Sequence, residues 1–212
     1  MKGINTFALK WIAIISMLID HVGAILFPEI EVLRIIGRLA FPIFAYLLVE
    51  GFVYTRDVKK YMIRLGIFAL ISEIPFNLAF FGSIFAPYHQ NVFFELFLGI
   101  LMLYLMLKTP SKVNQVIILI VLLLISDWLI FDYGSWGLLM IFVFYRFREQ
   151  KILKLALMVL INFLMGYTQI YAGFAALPIA FHNRELGPKM KMFFYAFYPA
   201  HLIILFLISR MI

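Results

Sequence analysis

Residues 7–27 read FALKWIAIISMLIDHVGAILF. The run has the length of one membrane-spanning helix, roughly twenty residues. Toward its far end it carries an adjacent acid and base, Asp20 and His21. An ionisable side chain placed mid-membrane costs roughly 2.5–3.5 kcal/mol on insertion scales. Such a pair is expected to have a partner or a task. The run is not a signal peptide, because Lys10 and the Asp20–His21 pair interrupt it and no small-residue cleavage site precedes a soluble domain. It reads as a retained helix.

Working outward, similar apolar stretches recur from end to end. The chain has 212 residues, of which 65% are hydrophobic and only 14% charged, with a mean hydropathy of +1.03. A soluble domain is far more polar. Nine segments emerge, at 7–27, 34–54, 60–81, 91–107, 113–131, 134–147, 152–168, 170–183 and 191–209. The expected fold is all-α: a polytopic transmembrane helix bundle of about nine spans (eight to ten), forming one domain over residues 1–212. The sixth and eighth segments are short, so tilted, broken or half-inserted helices are expected there. No connection is long enough to hold a separate catalytic domain. Any chemistry belongs inside the bundle or at its mouths.

The basic residues set an orientation. With a cytoplasmic N-terminus, one side receives Lys2, Lys10, the 56–60 stretch RDVKK, Lys108, Lys112, the 146–154 stretch RFREQKILK, and Arg184, Lys189 and Lys191. The other side receives Arg34 and Arg210, with acidic Glu29, Glu31 and Asp132. That bias predicts N-in, C-out. It also explains the net charge of +7 without nucleic acid as a partner. Trp11 falls near the inner interface, and Trp128 and Trp136 near the outer one. The chain has no cysteine, which excludes disulfides, thiol catalysis and Cys metal sites; no metal is expected. There is no internal repeat of the kind many transporters show.

Polar residues inside the spans gather in the half expected to face outward. Adjacent residues on a helix point about 100° apart, so Asp20 and His21 face different neighbours. Arg38 follows Arg34 by four residues on one face. Glu73 and Asn77 share a face around Pro75, which is expected to bend that helix. Asn91 and Glu95 repeat the spacing, and Tyr198 and His201 share a face near Pro199. Structural readings compete: Asp20–Arg38 or Glu73–Arg38 ion pairs, and Asn77 or Asn91 as interhelical hydrogen-bonders. For the Asp20–His21 pair the functional reading is favoured, because a structural pair is cheaper at a helix end and histidine is the side chain suited to move protons near neutral pH. His89 and His182 fall in loops and carry little information.

At these residues the chain resembles a known family. SMLIDHVGAILF (16–27), LRIIGRLAFPIFAYLLVEGFVYT (33–55), KYMIRLGIFALISEIPFNLAF (60–80), QNVFFELFLGILM (90–102), DYGSWGLLMIF (132–142) and FFYAFYPAHLIIL (193–205) are together similar to the TraX family, in order and over essentially the whole chain. That family is named for the F-type conjugative pilin acetylase. It resembles the wider set of integral-membrane acyltransferases, including the lysosomal heparan glucosaminide N-acetyltransferase. The resemblance implies a multipass inner-membrane acyltransferase of a prokaryote. Acetyl-CoA is the implied donor. The implied acceptor is an amine or hydroxyl on an exported or envelope protein, peptide or glycan, such as a pilin N-terminus.

On that reading His21 is the general base and Asp20 orients it. Arg38 or Asn91 stabilises the oxyanion, and Glu73, Asn77, Tyr198 and His201 line the cavity. Arg56, Lys59, Lys60 and Arg64 hold the phosphates of the donor, with the 146–154 stretch and Arg184–Lys191 as further candidates. Membrane lipids are the surrounding partner. A homo-oligomer fits as well, since lipid-facing and partner-facing surfaces look alike in sequence. Two rivals stand beside this reading. One is a proton-coupled transporter using Asp20, His21, Glu73 and Glu95 as a relay. The other is a scaffold or assembly factor of a secretion or conjugation system, with purely structural polar groups.

Overall fold

The computed structural model describes residues 3–211; Lys2, counted above among the basic residues, lies outside the described residues. The described chain is helical, with isolated bridges Ile4–His182 and Gln90–Phe131 in place of strands. Its helices are α1 (Thr6–Ile25), α2 (Glu31–Gly37), α3 (Ala40–Tyr54), α4 (Val58–Phe81), α5 (Val92–Lys108), α6 (Lys112–Trp128), α7 (Gly134–Arg146), α8 (Lys151–Met165), α9 (Ala176–Ala180) and α10 (Lys191–Ser209). A 3₁₀ helix, Tyr167–Ala175, runs directly into α9. Each of the nine segments expected from sequence coincides with a helix or a pair of consecutive helices. Four stretches are long and apolar enough to cross a membrane: Thr6–Ile25, Glu31–Tyr54, Val58–Phe81 and Lys191–Ser209.

Local chemistry explains the boundaries. Asn5 caps α1 by accepting from the Ala8 amide at 2.8 Å, and Asp57 caps α4 by accepting from the Lys60 amide at 2.9 Å. Gly82 ends α4 in the left-handed conformation at φ 66°. The segment expected at 34–54 starts earlier, at Glu31, and breaks into α2 and α3 around Arg38–Leu39. Pro42 has no amide hydrogen to offer the Arg38 carbonyl, so the helical ladder is interrupted there. Helix α4, by contrast, continues through Pro75. The segment expected at 170–183 is mostly the tighter 3₁₀ form. Its rise of about 2 Å per residue lets a short piece reach further than an α-helix.

Helices α3, α5 and α7 carry much of the interior, with Ile43, Val49, Ile100, Met102, Leu138 and Ile141 fully enclosed. The outside is apolar too. On α4, Ile63, Ile67, Leu70 and Ile74 form one exposed stripe at helical spacing, and α6 buries only Leu122 and Ser126. Such a surface suits lipid.

Loops meet at each end of the bundle. At one, the Gln90 amide donates to the Ile130 carbonyl at 3.1 Å, joining the α4–α5 and α6–α7 connections. At the other, the Ile4 amide donates to Phe181 O and the Asn183 amide to Ile4 O, tying the N-terminal segment to the strap before α10. We call these the His89 end and the His182 end.

Candidate functional site

Two cavities lie inside the bundle, one toward each end. The one at the His89 end has a volume of about 440 Å³ and is lined by Asp20, His21, Arg34, Arg38, Asp132 and Tyr133 among others. The one at the His182 end has about 340 Å³ and is lined by Lys10, Glu50, Arg64, His182, Arg184 and Lys191 among others. Met17, Phe44, Val92 and Tyr198 line both.

Asp20 and His21 part company, as their angular offset on α1 requires. The Asp20 carboxylate accepts from Arg34 Nη1 at 2.6 Å and from Arg38 Nη2 at 2.7 Å. Gly37 makes this possible. A Cβ there would collide with the Asp20 side chain, so only glycine lets α2 press this close to α1. Asp20 therefore does not orient His21, because its carboxylate is committed to α2.

The orienting contact comes from α10. His21 Nδ1 lies 2.6 Å from His201 Nε2, and His201 Nδ1 lies 2.8 Å from the Phe197 carbonyl oxygen. A carbonyl can only accept, so His201 Nδ1 carries a proton and donates it. In the neutral ring His201 Nε2 is then an acceptor, and His21 Nδ1–H donates to it. This assignment follows from the network. It leaves the lone pair of His21 Nε2 outside these contacts, on a residue that lines the cavity. His201 itself lines neither cavity; it stands behind His21.

Glu73, Asn77 and Asn91 form a separate knot. Asn91 Nδ2 donates to Glu73 Oε2 at 2.6 Å and to Ala69 O at 2.9 Å, while its Oδ1 caps α5 through the Phe93 amide. Asn77 Nδ2 donates to Glu73 Oε1 at 3.3 Å. The knot joins α4 to the start of α5 and lines neither cavity, so the expected lining and oxyanion roles of these three do not fit the geometry. Arg38 does line the cavity, with Nη1 outside its contacts to Asp20 and Arg34. Tyr198 lines both cavities with its ring 5.9 Å from that of His21. Glu95 is enclosed against Ser126 and lines neither cavity.

At the other end, Arg56, Lys59 and Lys60 are exposed and outside the cavity lining, and Lys60 pairs with Asp57 at 3.4 Å. Of the four expected donor-binding residues, Arg64 alone lines the cavity. Lys10, Arg184 and Lys191 take the places of the loop residues. Arg184 is shared with Glu50 and Glu149, each at 3.6 Å. Lys10, Arg64 and Lys191 form no ion pair among the described residues; Lys10 sits 5.2 Å over Phe194 and Arg64 5.6 Å over Tyr61.

Two residues with little sequence signal are built into the cavities. His182 bridges Thr6 Oγ1 at 3.0 Å and Tyr46 Oη at 2.9 Å. His89 lies 3.1 Å from Asp132, whose hydrogen bond raises its pKa. Glu50 is buried and bound by Arg148 at 3.0 Å.

The fold and cavities define an all-helical protein with membrane-length apolar helices and an internal histidine pair. The chain belongs to the TraX protein family, whose match spans residues 6–209. A probable fimbrial assembly protein FimC, serogroup H1, of Dichelobacter nodosus is 32% identical over 233 residues, covering 95% of this chain and 94% of that protein. An uncharacterized protein of Rickettsia prowazekii (strain Madrid E) is 31% identical over 153 residues, covering 69% of this chain and 58% of that protein. No solved structure matches.

Proposed function

We propose that the chain is a multipass inner-membrane acyltransferase with nine spans and a cytoplasmic N-terminus. It moves an acetyl group from cytoplasmic acetyl-CoA to an amine or hydroxyl of an exported or envelope acceptor. The observation that carries this is the His21–His201–Phe197 chain, which leaves His21 Nε2 outside its contacts on a residue lining one cavity, beside a second, cation-lined cavity that shares four lining residues with it. With the charge bias of the loops, the His182 end is cytoplasmic and the His89 end faces outward. Lys10, Arg64 and Lys191 hold the donor phosphates, and the pantetheine arm runs between the helices toward His21.

In the transfer, the acceptor nitrogen or oxygen attacks the thioester carbon. His21 Nε2 takes the acceptor proton, a C–N or C–O bond forms, and the carbonyl oxygen becomes an oxyanion facing Arg38. Collapse breaks the C–S bond, and the imidazolium returns the proton to the departing thiolate. His201 accepts from Nδ1 throughout and stabilises the imidazolium.

The name of the Dichelobacter relative favours a second reading, an assembly factor for fimbriae. One experiment separates the two. The protein is purified in detergent, acetyl-CoA binding is measured by calorimetry, and transfer of labelled acetyl to host membrane fractions is followed. Micromolar binding, with labelling lost in His21→Ala, supports acyl transfer. No binding by folded wild type supports the assembly reading.

A further inference from the structure

The two cavities share four lining side chains, each from a different helix and together called the ring below: Met17 of α1, Phe44 of α3, Val92 of α5 and Tyr198 of α10. Three are wholly apolar. Met17 and Tyr198 are nearly enclosed, at 7% and 3% exposure, so the ring is packed between helices. Along α1 the order is Lys10 in one cavity, Met17 in the ring and His21 in the other. Lys10 and His21 are about 16 Å apart along the axis at 1.5 Å per residue. Whatever is held by Lys10 and reacts at His21 must pass this ring end first.

We propose that this ring is an acyl-width filter: it admits the thioester end of a donor carrying an unbranched acyl group and stops one branched next to the carbonyl. The proposal rests on the acyl-transfer reading above. A linear chain keeps the cross-section of a polymethylene strand whatever its length, so the ring does not measure length. A branch at the α-carbon widens the leading end at the point where Phe44 and Tyr198, both rigid rings, leave least freedom. Met17, the one flexible side chain among the four, lets the ring adapt to the arm that follows. One misplaced methyl group in an apolar constriction is worth about 10–200-fold in discrimination.

The test compares two donors with the same atoms and different width, n-butyryl-CoA and isobutyryl-CoA, beside acetyl-CoA. Hydroxylamine serves as surrogate acceptor, the hydroxamate is measured, and His21→Ala protein is the blank. Because the chain has no cysteine, released coenzyme A thiol is read without background from the protein. Wild type is expected to favour n-butyryl over isobutyryl by about tenfold or more. Phe44→Ala is expected to bring the ratio close to one, and Met17→Ala to lower it less. Coenzyme A binding by calorimetry reports that each variant is folded; Phe44→Leu replaces Phe44→Ala if the latter is not.

A wild-type ratio near one overturns the filter and leaves acyl transfer standing. So does a ratio unchanged in both folded variants. No transfer by wild type from any of the three donors overturns the filter together with the reading beneath it.

Discussion

His21 Nδ1 stands 2.6 Å from His201 Nε2, across the contact between the first and last helices of the bundle. On the acyl-transfer reading, the bond fixes which nitrogen of His21 serves as the base. General bases contribute about 10²–10⁴-fold, so His21→Ala is expected to lose transfer by about that factor. His201→Ala frees the His21 ring and its tautomer but keeps the base itself, so it is expected to cost about 10–100-fold in kcat, less than loss of the base, with donor affinity kept. His201→Gln, whose amide oxygen can accept from Nδ1–H, recovers part of the loss. Equal KM with graded kcat across the three proteins is the expected pattern. A His201→Ala protein as active as wild type would remove His201 from the mechanism.

Asp20 behaves differently because its task is packing. Removing it leaves Arg34 and Arg38 facing each other without a counter-charge. Removing one partner of a buried pair costs about 3–5 kcal/mol; Arg34 is 31% exposed, which places Asp20→Ala toward the lower end. Thermal unfolding in detergent is expected to show a lower Tm for Asp20→Ala than for His21→Ala. The reverse order would return Asp20 to the chemistry and take it from the scaffold.

The same scaffold has a test through glycine. A methyl group at Gly37 overlaps the Asp20 side chain, whereas one at Gly66 meets only Phe97 ring carbons at 3.5 Å. Gly37→Ala is expected to destabilise by about 1–3 kcal/mol through overpacking. Gly66→Ala is expected to be neutral or mildly stabilising, as a helix position gaining a better helix former. Paired unfolding curves decide it.

How much of this was legible in the sequence depends on range. The nine helical segments were, because each is written in a continuous apolar run; the break of the 34–54 segment into α2 and α3 was not, although Pro42 in the GRLAFP stretch accounts for it. The placement of His21 in the interior was legible, as an ionisable group in an apolar run. Its partner was not. Asp20 is next in sequence but about 100° away on the helix, while His201 is 180 residues distant and adjacent in space. Glu73, Asn77 and Asn91 looked like cavity lining because buried polar groups that satisfy one another carry the same signature as those that face a ligand. His182 gave little sign because a loop histidine has no periodicity to place it, and its partners Thr6 and Tyr46 come from two other helices.

The His89–Asp132 pair joins two loops at the rim of the cavity and gives the fold a pH dependence. Asp132 raises the pKa of His89 above the ordinary 6.5, chiefly through their hydrogen bond. A histidine whose folded pKa lies above its unfolded one stabilises the fold fully below 6.5, and that contribution is lost as pH rises through the raised value. Both side chains are about a third exposed, so the effect is at most about 1 kcal/mol. Tm is expected to fall slightly as pH rises through that window in wild type, and the Asp132→Asn protein is expected to lack the His89 step. An identical profile in both proteins would show that the pair does not couple folding to pH.

The His182 end gives the sharpest contrast between charge counted along the chain and charge placed in space. The 56–60 stretch holds three cations in five residues, yet none lines the cavity, and Lys60 already has Asp57. Arg64 is one helical turn further on, lines the cavity and has no carboxylate partner among the described residues. A hydrogen bond to a charged group contributes about 1.5–3 kcal/mol. Arg64→Gln is therefore expected to weaken acetyl-CoA binding by about tenfold or more, and Lys10→Gln and Lys191→Gln by similar or smaller factors. Replacing Arg56, Lys59 and Lys60 together by alanine is expected to change Kd by less than about threefold, the scale of an exposed pair. Calorimetric titration of the four variants beside wild type reads this directly. Binding lost in the triple variant and kept in Arg64→Gln would move the donor phosphates out of the cavity and onto the loop.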